Sequence, residues 1–200
     1  AVVGAQRLVV LGAAAELAFV QPAMDRLIPP DATGPSATQA NAHVFLDRQL
    51  AGGFGRGEHL YLGGPWPKGV PEQGYQSRLS PAQFYRAAIA AVEGQVDARF
   101  GKSFAQLSLQ QQDDLLRELE AGKLTLPSID GQVFFGMFLQ NTLEGYFSDP
   151  LYGGNKDMAA WKMIGFPGAH YDYSEWAGRY GERVPFPPVG IMGRPAWSEA

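Results

Sequence analysis

The chain has 200 residues, of which 46% are hydrophobic, 12% aromatic and 18% charged. It is long and apolar enough to bury one sizeable core, which excludes whole-chain disorder, and its formal net charge of -4 excludes the basic footprint of a nucleic-acid partner. It contains no cysteine, so disulfides, thiolate-bound zinc, cysteine-ligated iron-sulfur clusters, thiol nucleophiles and Cys-attached haem are all excluded.

The chain opens Ala1-Val2-Val3 with no charged stretch ahead of its first apolar run, the start expected of a mature or trimmed product. The run from Leu8 to Val20 is broken by Glu16 and is shorter than the roughly 20 residues of a membrane span, so an amphipathic first helix is expected, the remnant of a targeting segment being the other reading. Ala13 to Ile28 reads as helical, with Pro22 either kinking it or opening a second segment, and Pro29-Pro30 stops it. Ser36 with Gln39, Ser80 with Gln83 and Ser108 with Gln111 each have the spacing of a capping box and mark three helix starts. Val44, Phe45 and Leu50 belong to a second helix ending at Gly52-Gly53.

After Ser80, Pro81 suits the first helical position, and Tyr85, Ile89, Val92, Val96 and Phe100 recur every three or four residues. A short solvated helix follows Ser108, showing Leu115, Leu116 and Leu119 to the core and stopping at Gly122. Ile129 to Phe147 is apolar over too wide an arc for a surface helix and is expected to be the central buried one, ended by Ser148-Asp149-Pro150.

Two stretches carry no sustained period. Residues 51 to 75 hold eight glycines and three prolines with Phe54, Tyr61, Trp66 and Tyr75, and residues 150 to 200 hold eight glycines, six prolines and nine aromatics. Aromatic-rich irregular segments are costly to leave in water, so both read as ordered and held against either the helical core or a second protein. The expected fold is all-α: a single small, irregular helical domain over residues 1–200, with a helical core of about 13–149, long ordered Gly/Pro/aromatic-rich loops and an extended C-terminal arm of about 150–200.

Tests for chemistry return little. Gly101-Lys102-Ser103 ends like a phosphate loop, but Val96 stands where a glycine is required and a helix precedes it. Glycines 52, 53, 55 and 57 miss the dinucleotide pattern because position 58 is Glu58. His43, His59 and His170 have no ligand-like spacing and read as capping, surface or interface histidines. Asp113-Asp114 and Glu118 with Glu120 read as a solvated acidic helix face whose substitution should matter little. No catalytic, cofactor or metal constellation emerges. In the arm, Trp161, Phe166, Tyr171, Tyr173 and Trp176 either wrap the central helix or serve as interface anchors, each worth about 2 kcal/mol or more when well buried; stacking of a glycan or quinone is a further reading.

The segments Arg26–Asp31, Phe45–Gly52, Gly63–Trp66, Gly69–Gln76 and above all Leu139–Tyr173 resemble the gluconate 2-dehydrogenase subunit 3 family, over roughly residues 15 to 190. That family comprises small gamma-type subunits of bacterial membrane-associated flavoprotein dehydrogenases. The resemblance implies a non-catalytic partner of a large FAD-containing subunit of the glucose-methanol-choline type acting on a sugar, sugar acid or polyol. It also implies a multihaem cytochrome c subunit as electron acceptor, a periplasmic location bound to the inner membrane through the complex, and chaperone-like help in twin-arginine export of the large subunit. FAD and haem c would lie on the other chains and none on this one. The partner-binding residues would be Trp66, Tyr152, Gly153, Gly154, Asn155, Trp161, Lys162, Phe166, Pro167, Tyr171, Tyr173 and Trp176. Trp161→Ala is then expected to cost about 2 to 4 kcal/mol of association. An independent periplasmic module binding quinone or glycan, without a dehydrogenase partner, is the competing expectation.

Overall fold

A computed structural model describes residues 11, 14–67 and 69–193. The sequence between Leu8 and Val20 therefore lies partly outside the described residues. Seven α-helices and no named strand occur among the described residues: α1 (Ala14–Leu27), α2 (Ala42–Ala51), α3 (Gly53–Arg56), α4 (Pro81–Phe100), α5 (Leu109–Glu120), α6 (Gly131–Phe147) and α7 (Ala159–Ile164). The all-α expectation holds.

Local sequence explains most of the boundaries. The Ser80 and Ser108 boxes form, each serine oxygen accepting from the amide three residues on while the Gln side chain accepts from the serine amide, and they open α4 and α5. The Ser36–Gln39 box also forms, but it closes a turn instead of starting a helix. Asn41 sits in the left-handed region at φ 62°, so helical geometry begins only at Ala42. A box at Ser103–Gln106, not expected from the sequence, organises a 3₁₀ turn. α1 continues through Pro22 without opening a second segment.

α6 lies at the centre, packed against α1, α2, α4, α5 and α7. Asp130 caps it by accepting from the amides of Gln132 and Val133. Gly145 lets α2 approach: a Cβ there would come within 3.0 Å of the Ala42 carbonyl. Phe134 and Phe138 stack at 5.8 Å and join Phe19, Phe104 and Tyr85 in one ring cluster. The buried Tyr85 hydroxyl donates to Asn141 Oδ1 at 2.7 Å, and burial pushes its pKa well above the ordinary tyrosine value.

Two expectations need correction. α6 is central but not buried all round, since Val133 and Leu143 are exposed on its outer flank. Phe100, at the last turn of α4, is also exposed because the chain turns away at Gly101 before anything covers it.

A candidate partner-binding surface

The arm grows out of the end of α6 through a tight junction. After Asp149-Pro150 the chain makes a 3₁₀ turn, and Gly154 passes so close to α6 that a Cβ would lie 1.9 Å from the Gly145 carbonyl oxygen. Asn155, fully buried, ties three segments together. Its amide donates to Gly145 O, its Nδ2 to Ser148 O, and its Oδ1 accepts from the Ala160 amide at the start of α7. Lys156 N donates to Ala40 O, which fastens the junction to the segment before α2.

α7 then presents two sides. Trp161 faces inward at 6% exposure, and its indole N–H donates to Phe147 O at 2.8 Å. Lys162 and Ile164 face outward, Ile164 at 58% exposure, while the partly exposed Met163 lays its sulfur against Gly34. Past Gly165 the chain runs into a closed loop. Val189 N donates to Pro167 O and Ala169 N to Val189 O, pairing Gly168 with Val189. The loop's returning end is held by Asp149, whose carboxylate accepts from Ile191 N at 2.7 Å and from Leu151 N at 2.9 Å.

Inside the loop, His170, Tyr173, Trp176 and Phe186 form a ring cluster of their own, with the Arg179 guanidinium 4.0 Å over the Trp176 ring. The Tyr173 hydroxyl donates to Gly168 O. Asp172 accepts from the amide and hydroxyl of Ser174, which holds its carboxyl below the usual pKa. Tyr171 and Tyr180 stand almost fully exposed.

The twelve residues expected to bind a partner thus separate by position. Gly153, Gly154, Asn155 and Trp161 are buried and fasten the arm to the bundle. Tyr152, Lys162, Phe166 and Tyr171 are exposed, while Pro167, Tyr173 and Trp176 are half-buried. Trp66 is exposed elsewhere, on the loop after α3, with Arg78 stacked 4.6 Å over its ring. It lines a groove with Tyr61, Val70 and Tyr75, distinct from the groove beside α7. Sequence reading missed Met163, Ile164, Tyr180, Arg183 and Phe186. The Pro-flanked Phe186 was visible as a rigid apolar element, but nothing local marks the outward side of α7.

The acidic face also changes character. Asp113 forms a two-pronged pair with Arg26 of α1 at 2.6 and 3.0 Å, and Glu118 pairs with Arg99 of α4. Asp113 and Glu118 thus join helices, while Asp114 and Glu120 stay exposed as expected of a solvated face. Among the described residues no group of three or more His, Cys, Asp or Glu is placed to hold a metal ion, and no helix is long and apolar enough to cross a membrane.

The model of gluconate 2-dehydrogenase subunit 3 matches residues 14–168. The chain belongs to that family. The match runs from the first turn of α1 to the residue that closes the arm's loop, so the bundle, the junction and α7 lie within it and the loop lies beyond. No curated protein and no solved structure matches the chain.

Proposed function

We propose that this family member is the non-catalytic small subunit of a membrane-associated, FAD-dependent sugar, sugar-acid or polyol dehydrogenase complex. It braces the flavoprotein large subunit through the outward side of α7 and the arm, in the periplasm. A multihaem cytochrome c subunit completes the complex as electron acceptor, and this chain assists twin-arginine export of the loaded large subunit. One observation carries the reading: Ile164, Phe166, Tyr171 and Tyr180 project from a segment that is hydrogen-bonded into place. Rigid aromatic and aliphatic groups held out in water are the composition of an interface centre, because their ordering cost is met before the partner arrives.

The test is co-expression of the large subunit with and without this chain, followed by the flavin spectrum and dye reduction. The proposal expects soluble, flavin-loaded, active large subunit only when both are present, and no turnover by this chain alone. Substrate turnover by the isolated chain, or a large subunit equally loaded and active without it, contradicts the proposal. Quinone or glycan binding by the isolated chain, with no association with the large subunit, would establish the competing reading.

A further inference from the structure

A groove of about 560 Å³ runs between α7 and the returning part of the arm. One wall is Trp161, Lys162 and Phe166; the other is Arg183 and the run Pro185-Phe186-Pro187-Pro188. Three prolines fix the backbone on either side of Phe186, so the second wall is rigid before anything enters. The lining is rings and prolines, with two cations beside them.

Arg183 stands out against the other arginines. Among the described residues, Arg26, Arg56, Arg86, Arg99, Arg117 and Arg179 each pair with a carboxylate. Arg48 donates to the Leu151 carbonyl and Arg78 lies over Trp66. Arg183 alone among the described arginines has no such partner; Lys162, across the groove, is like the other described lysines in forming no ion pair. The adjacent carboxylate of Glu182 is already engaged by Arg179. In a chain of net charge -4 the groove sets one cation on each side of an apolar slot, with no carboxylate in its lining.

We propose that this groove seats a segment of the large dehydrogenase subunit in which an aromatic or aliphatic side chain is flanked by a carboxylate. The apolar side chain enters between Phe166 and Phe186, and the carboxylate meets Arg183 and Lys162. This rests on the small-subunit reading above and names the chemistry of its contact. The α7 wall lies within the family match and the Arg183 wall beyond it, so the second wall adds a charge requirement that selects this chain's own partner.

The test titrates the purified flavin-containing large subunit of the same complex against this chain at low and high salt. The variants are Arg183→Glu, Lys162→Glu, the double variant, and Lys123→Glu in the turn after α5 as a control. Each groove reversal should weaken binding roughly tenfold and the pair roughly 10²-fold, with a flatter salt dependence, while Lys123→Glu binds normally. Unchanged thermal midpoints show that the fold survives; if Arg183→Glu lowers the midpoint, Arg183→Gln with the same salt series takes its place. Wild-type affinity in the double variant overturns the groove assignment and leaves the small-subunit reading standing. Failure of the wild-type chain to bind the large subunit at all overturns both.

Discussion

Replacing Trp161 separates a ring that builds the chain from a ring that meets a partner. The indole is 6% exposed, packs edge-on against Phe166 at 5.0 Å and donates to the Phe147 carbonyl at the end of α6. Truncating a buried Trp to Ala costs about 3–5 kcal/mol through lost burial and the cavity left behind. For a chain of this size each kcal/mol moves the unfolding midpoint by about 2–4 °C, so Trp161→Ala should lower it by roughly 6–20 °C. Trp161→Phe keeps much of the ring but leaves the Phe147 carbonyl without its donor, a loss of about 1 kcal/mol. Differential scanning calorimetry of the isolated chain measures both. A Trp161→Ala midpoint within about 2 °C of wild type, together with weakened association, would refute the inward placement and restore Trp161 as a direct contact.

Three further outcomes follow from individual contacts. Gly154→Ala should destabilise the chain by more than about 2 kcal/mol, seen in urea unfolding, because its Cβ has no room beside the Gly145 carbonyl. The Arg26–Asp113 pair holds the Asp113 carboxyl below its usual pKa through the guanidinium hydrogen bond. Its contribution, about 1 kcal/mol, is therefore present above the ordinary carboxylate range and lost as pH falls through the lowered folded value; Asp113→Asn should lack that step in an acid titration of stability. His43 on α2 has a buried Nδ1 with no hydrogen-bond partner among the described residues, and burial lowers its pKa against the opposing pull of Asp25 and Asp47. Because the unfolded chain takes up that proton first, stability should fall as pH drops below about 6.5, and His43→Gln should remove this part of the decline.

Helices whose start and buried stripe are local features were legible in the sequence. Ser80 with Pro81, and Ser108 with its three leucines, each state a cap and a core face within a dozen residues, and α4 and α5 follow them. The Ser36 box shows the limit of such signals: its two hydrogen bonds form equally well in a turn, and the left-handed conformation that delays α2 falls on Asn41, a residue type that tolerates it but does not require it. The acidic face misled for a related reason, since the partner of Asp113 is Arg26, 87 residues away.

The arm was legible as ordered but not as oriented. Its order comes from distant contacts, Asp149 to Ile191 and Trp161 to Phe147, and a tryptophan facing inward has the same sequence as one facing outward. Gly153 and Gly154 were expected at a partner, yet Gly154 is needed for its close approach to the backbone of Gly145. The side chains left exposed for the proposed contact are those on the other side of α7 and in the loop beyond it, and they overlap only partly with the ones expected from the sequence.

Hydrogen exchange of this chain, free and bound to its large subunit, bears most directly on the claim that α7 and the arm form the interface. The account predicts new protection across residues 162–188 on complex formation, with the exposed side of α5 exchanging alike in both states. Protection confined to α4 and α5, with residues 162–188 unchanged in a stable complex, would contradict it.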